Sequence, residues 1–156
     1  MASFVVPIWG SVVDPDPDGP IRRYLQARVP AALERRPGQF VQVPFVVVDT
    51  GASFTVMSAT LARTYGIPIP ARTSRLTINT AGGSRPSRVH DGEIRLRFPQ
   101  LPDRVFRLYC LFSEDVPPSV PPLLGLNDTL DVFRLTFDGT PGRAGPFGSL
   151  RFETTA

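Results

Sequence analysis

Asp49 stands where an apolar run stops. In FVVVDTGASFTVMS, residues 45–58, four apolar residues lead straight into Asp49-Thr50-Gly51-Ala52-Ser53. A carboxylate held between a strand end and a tight turn is placed for acid–base work on a bound substrate. The same residue types are also ordinary turn chemistry, because Asp, Gly and Ser favour turns for conformational reasons alone. Other chemistries are poorly supplied. His90 is the single histidine and Cys110 the single cysteine, so neither a His-based metal site nor an internal disulfide can form. No carboxylate cluster has metal-ligand spacing, a serine hydrolase would rest on His90 without a nucleophile elbow, and no Gly-rich phosphate loop is present. The sequence implies no metal and no cofactor.

The elements around Asp49 read as strands. In YLQARVPAALE, residues 24–34, Leu25, Ala27, Val29, Ala31 and Leu33 alternate with other residues, and Pro30 argues against a helix there. RRPGQ reads as a turn, and FVQVPFVVVD as the strand that delivers Asp49. RLTINT and EIRLRF repeat the alternation, RVFRLYCLF has the continuous apolar character of a buried strand, and VFRLTFDG and SLRFET supply two more. Two short helices are expected: SATLARTYG, with Ser58 as N-cap and Gly66 as its stop, and LNDTLDVF, with its start set by Gly125. DPDPDGP and EDVPPSVPP read as surface loops. Many short strands with few helices predict one compact, mostly antiparallel β domain over residues 1–156.

Charge and hydropathy narrow the partners. The net charge of +3 comes from 17 basic residues against 14 acidic ones. All of the basic residues counted are Arg, and they are scattered, so no nucleic-acid footprint is expected. No apolar stretch approaches a membrane span, and MASFVVPIWGSVV lacks the basic start of a signal peptide. Cys110, within RVFRLYCLF, reads as a small buried hydrophobe. A cytoplasmic, reducing location is the expectation. Trp9, beside Pro7 and Gly10, reads as core or interface packing.

Three features follow one another along the chain: VVVDTGAS, then LTINTAGGSRPSRV with Gly82 and Gly83 joining two strand-like stretches, then PPLLGLNDTLDVFRLTFD. In this combination the sequence resembles the retropepsin-like aspartic protease family. The matching residues are Asp49-Thr50-Gly51-Ala52-Ser53, the hairpin tip at Thr80-Ala81-Gly82-Gly83, and Leu123-Leu124-Gly125 followed by Asn127 and Leu130. The resemblance covers roughly residues 24–138. It implies a small closed β-barrel protomer in a symmetric homodimer that acts on an extended peptide or protein substrate.

A single Asp-Thr-Gly suits that arrangement. Hydrolysis by carboxylates needs one group to take a proton from water and another to protonate the substrate, and two carboxyls sharing a proton supply both roles. In a two-fold dimer the second carboxylate is Asp49 of the other copy. The resemblance implies that Thr50 bonds across the dimer, that Ala81, Gly82 and Gly83 form a flap, and that Leu123, Leu124 and Gly125 pack behind the catalytic loop. Two departures stand out. Leu126 occupies a position where the family often carries Arg, and Ser53 one where retroviral members often carry an acid. FVVPIWGSVV and SLRFET extend beyond the minimal family domain and are candidates for interface strands or a cover over the site. The alternative to an active endopeptidase is a dimerising or peptide-binding module with the same fold.

Overall fold

The computed structural model describes residues 1–13, 22–80, 83–142 and 145–155. The chain is mostly β, as the alternation predicts. Its strands are β1 (Ser3–Val13), β2 (Arg22–Arg36), β3 (Gln39–Val48), β4 (Thr55–Ser58), β5 (Thr73–Thr80), β6 (Gly83–Arg97), β7 (Phe106–Ser113), β8 (Leu123–Leu124), β9 (Phe133–Asp138) and β10 (Ser149–Thr154). Helices α1 (Ala59–Tyr65) and α2 (Thr129–Val132) are the only two among the described residues. Neither is long and apolar enough to cross a membrane. DPDPDGP lies outside the described residues, and EDVPPSVPP forms the loop between β7 and β8.

Most neighbouring strands run antiparallel. The exceptions are β3 beside β8 and β4 beside β7, which are parallel. Pairings lead from β2 through β3, β8, β4, β7 and β6, and β6 meets β2 again at Ala32↔Arg97 and Leu33↔Leu96. The β2–β3 register shifts between Val29 and Ala31. Pro30 sits in that gap, where its missing N–H cannot leave a ladder bond unmade.

The two extensions resolve into one feature. β1 pairs with β10 through Ser3–Pro7 and with β2 through Ile8–Val13, and β10 pairs with β9. Both terminal strands are therefore integrated into their own chain, and neither lies among the residues lining the Asp49 cleft described below. They complete an aromatic core. The Phe4 and Phe152 rings stack with centroids 4.7 Å apart, and Phe98, Phe106 and Phe133 surround them. Truncating one such buried ring to Ala costs about 3–5 kcal/mol. Cys110 is fully buried, as expected, and burial pushes its thiol pKa up. Trp9 is not core: it is 53% exposed, with the Arg28 guanidinium over its ring.

Helix α1 has the expected ends. Ser58 Oγ accepts the Leu61 N–H, and Gly66 closes the helix in the left-handed conformation at φ 72°. Helix α2 differs from expectation at its start. Asp128, not Gly125, is the N-cap residue, and it holds a positive φ of 61°.

An ionic clasp fixes the root of the β5–β6 hairpin. Arg63 of α1 donates two bonds to Glu114, at 3.1 and 2.5 Å. The His90 ring of β6 sits between Glu114 Oε1 and the Pro70 carbonyl, each at 2.7 Å. Hydrogen bonds from Arg63 and then from His90 pull the Glu114 carboxyl from 4.5 to about 2. Between those values the unfolded chain binds the extra proton, so this stabilisation is full above about pH 4.5 and fades as pH falls toward 2. Thermal unfolding followed across that window should show wild type losing stability more steeply than Glu114→Gln, which should be less stable than wild type at neutral pH.

Candidate active site

Strand β3 carries Asp49 out of the core. Val46, Val47 and Val48 are buried, and the carboxylate follows at the strand end, partly exposed. The turn after it is shaped by Asp49 itself. Oδ1 accepts the Gly51 N–H at 3.0 Å, and its carbonyl accepts the Ala52 N–H at 3.2 Å. A Cβ on Gly51 would come within 3.3 Å of that same Oδ1, so glycine leaves the carboxylate room. Thr50, Gly51 and Ser53 are exposed, and Ala52 is half-buried.

A second segment braces this loop through its backbone. Asp49 N–H donates to the Leu124 carbonyl at 2.9 Å, Leu126 N–H to Ala52, and Asn127 N–H to Ser53, both also at 2.9 Å. Gly125 N–H donates to Thr55 Oγ1 at 3.2 Å. Gly125 lies so close that a Cβ there would fall 2.2 Å from the Phe54 carbonyl carbon. Leu124 is buried behind the loop, whereas Leu123 is half-buried and faces the cleft. Leu126 and Ser53, both uncharged, are thus joined to the same brace by main-chain bonds.

The cleft over Asp49 holds about 440 Å³. Leu25 and Gln26 of β2, Val47 and Val48 of β3, and the loop residues Ser119, Val120 and Pro121 line it beside Thr50 and Leu123. Among the described residues Asp49 is the single charged one lining it. The lining mixes the apolar Leu25, Val47, Val48, Val120, Pro121 and Leu123 with the polar Gln26, Thr50 and Ser119, and a carboxylate sits among them. Asp14, Asp16 and Asp18 lie outside the described residues, and Asp91 and Asp103 do not line the cleft. Among the described residues no group of three or more His, Cys, Asp or Glu is close enough to hold a metal.

The hairpin expected as a flap is β5–β6, with Thr80 opposite Gly83 at its outer end. Ala81 and Gly82 lie outside the described residues. Three contributors escaped the sequence reading. Thr55 is a buried acceptor, Asp128 takes the Tyr109 N–H at 2.6 Å on its carboxylate, and the Ser119–Pro121 wall is part of the proline-rich loop. Asp128 had a usable signal, since Asp tolerates positive φ better than most residues.

A family model described as gag-polyprotein putative aspartyl protease matches residues 40–127, more than half of the chain. The chain belongs to that family. No curated protein matches it by sequence. The span matched in this aspartyl protease family opens at the start of β3 and closes just after β8. It therefore takes in the Asp49 turn, the β5–β6 hairpin and the Leu123–Asn127 brace, the three features on which the retropepsin-like resemblance rests.

Because the brace depends on backbone contact at Gly125, Gly125→Ala should lower stability by about 1–3 kcal/mol or more. Denaturant unfolding of the variant measures this. Gly139→Ala, where a Cβ meets nothing within 4 Å, should unfold close to wild type.

Proposed function

We propose that the chain is an aspartic endopeptidase that works as a homodimer, each copy contributing Asp49 to one shared site. The observation that carries this reading is the lone carboxylate in a cleft that is otherwise uncharged among the described residues. Paired-carboxyl hydrolysis uses one ionised and one protonated carboxyl at the same moment, and a two-fold partner supplies its own Asp49 as the second without any further residue. The circuit of strand pairings from β2 back to β2 supports a closed barrel of the retropepsin type within a single domain, with its core over about residues 24–138.

In this reading a water lies between the two Asp49 carboxyls, one ionised and one protonated. The ionised carboxylate takes a proton as the water oxygen attacks the scissile carbonyl carbon, giving a tetrahedral intermediate. Collapse of that intermediate breaks the C–N bond, and a proton passes to the departing nitrogen. Thr50 holds the two loops in register across the dimer, and Gly51 admits the substrate backbone. The outer end of the β5–β6 hairpin, at Gly83, lies over the bound peptide in this reading, and Leu123, Leu124 and Gly125 keep the loop in place. The peptide is gripped as an added strand, with the cleft choosing side chains.

A second reading, a peptide-binding or dimerising module of the same fold, is favoured by one observation: Leu126 stands where the family often has Arg. The two readings differ in a direct assay. Wild type and Asp49→Ala are incubated with an unbiased peptide library between pH 4 and 8, and products are read by mass spectrometry. Wild type should cut between apolar side chains, best at mildly acidic pH, and Asp49→Ala should lose about 10³-fold or more. Specific activity should also rise with protein concentration as dimers form. Cleavage surviving in Asp49→Ala would remove Asp49 from the mechanism, while no cleavage by a folded wild-type dimer would leave the binding module.

A further inference from the structure

We infer that Arg28 and the cavity around it form an outer subsite of the Asp49 cleft, one that takes an acidic side chain of the bound peptide. The inference rests on the reading of that cleft as the place where a peptide is bound and cut.

The strand register sets Arg28 beside the cleft. Arg28 lies opposite Val47, and Trp9 lies opposite Gln26. Directly opposed residues share a face, and faces alternate along each strand. Trp9, Gln26, Arg28 and Val47 therefore share one face of the sheet, away from the buried Ala27, Val29 and Val46. Gln26 and Val47 line the Asp49 cleft. Arg28 Nε donates to Gln26 Oε1 at 3.2 Å, so a residue of the cleft wall holds the guanidinium. The step from Gln26 to Arg28 is about 7 Å along β2, a distance that two or three residues of an extended peptide cover.

A second cavity opens there, holding about 320 Å³ and lined by Pro7, Trp9, Arg28, Pro30, Pro44 and Phe45. A further cavity shares Pro44 and Phe45 with it and Ser119 and Pro121 with the Asp49 cleft, which gives the two a second link. Among the described residues Arg28 is the single charged one lining this second cavity. Its guanidinium carbon lies 4.7 Å from the Phe45 ring centroid and 5.6 Å from that of Trp9. Contact with two rings orients the group and leaves N–H edges for a planar acceptor. The prolines have no N–H to offer. Side-chain donors in the lining are thus the guanidinium and the Trp9 indole, and no lining side chain is an acceptor. Among the described residues the ion pairs are those of Arg63, His90, Arg95 and Arg107, so no described carboxylate neutralises Arg28.

Donors without acceptors, around one half-buried cation, fit a carboxylate. A Glu of the peptide accepts from the guanidinium fork and offsets the water that Arg28 loses when the cavity fills. A Gln brings one acceptor oxygen and no charge, and a Lys meets like charge. Position matters as well. An acid placed in the cleft itself faces the Asp49 carboxylate, whereas an acid a few residues along lies against Arg28. Trp9 and Arg28 both stand outside the span that the family model matches.

The test remakes the best-cleaved library peptide, with both ends blocked, carrying Glu, Gln or Lys at each position about two to five residues from the scissile bond. At one position wild type should cut the Glu peptide about tenfold better in kcat/KM than the Gln peptide. Arg28→Gln should bring the two within about twofold, and Arg28→Glu should favour Lys. Arg28→Lys keeps the charge and the apolar stem without the planar fork, should fall between, and decides the matter where Arg28→Gln does not fold. Arg97→Gln removes a guanidinium stacked on Phe40 that lines neither cavity, and it should keep the wild-type ranking. No preference for Glu in wild type, a full preference surviving in Arg28→Gln or Arg28→Lys, or equal loss in Arg97→Gln overturns the subsite and leaves the endopeptidase standing. A short blocked apolar peptide carrying Glu or Gln at each position in turn is also titrated by fluorescence anisotropy. The proteins titrated are Asp49→Asn and the double variant that combines Asp49→Asn with Arg28→Gln. Binding of a Glu peptide about tenfold tighter in Asp49→Asn than in the double variant, with no cleavage by wild type, overturns the endopeptidase and keeps the acid subsite. Neither cleavage nor charge-selective binding overturns both.

Discussion

The main-chain bonds between the Asp49 loop and residues 124–127 are the constraint on which the rest of the site depends. Three of them, from Asp49, Leu126 and Asn127, cross between two segments about 75 residues apart in sequence, and each is near 2.9 Å. Their geometry asks for parallel pairing of β3 with β8, and that in turn places β4 on the other side of the two-residue β8. Gly125 makes the approach possible because any side chain there would meet the Phe54 main chain. A loop carrying a partly exposed carboxylate is thereby fixed without help from a charged pair, and the absence of charge at both Leu126 and Ser53 leaves no buried ion uncompensated.

The hairpin is organised by opposite means. Its root is held by side chains, with Glu114 accepting from both Arg63 and His90, and Ser87 joined to Ser113 and Asp115. Farther out, main-chain pairing continues to Thr80 and Gly83. Directly opposed arginines, Arg75 and Arg88, cost the outer face some stability through like charge. The root is thus tied by side chains as well as main chain, and the outer part by main-chain pairing.

Much of this was legible in the sequence because period-2 alternation and turn residues act locally. The strands around Asp49, the Ser58 and Gly66 caps, and the buried state of Cys110 follow from neighbours within a few positions. What escaped depends on contacts between distant segments. Two residues, Leu123 and Leu124, are too few to announce a strand, and β8 exists only because β3 and β4 flank it. Helix α2 starts at Thr129 because the Asp128 carboxylate is held by the Tyr109 N–H, a contact no local pattern encodes. Trp9 read as core or interface packing, and of these the core is ruled out because β1 turns it outward against Arg28.

The meeting of β1 with β10 bears on how the chain folds. Ala2 N–H donates to Thr154 Oγ1 across 152 residues of sequence, and Phe4 lies flat against Phe152. Contacts of such separation are expensive to close and form late, so folding should be slow for a domain of this size. During synthesis the Asp49 loop and its brace emerge well before the final strand that fills the aromatic core. A nascent chain therefore carries the Asp49 loop before it has a finished interior, and the aromatic core closes only as β10 reaches β1.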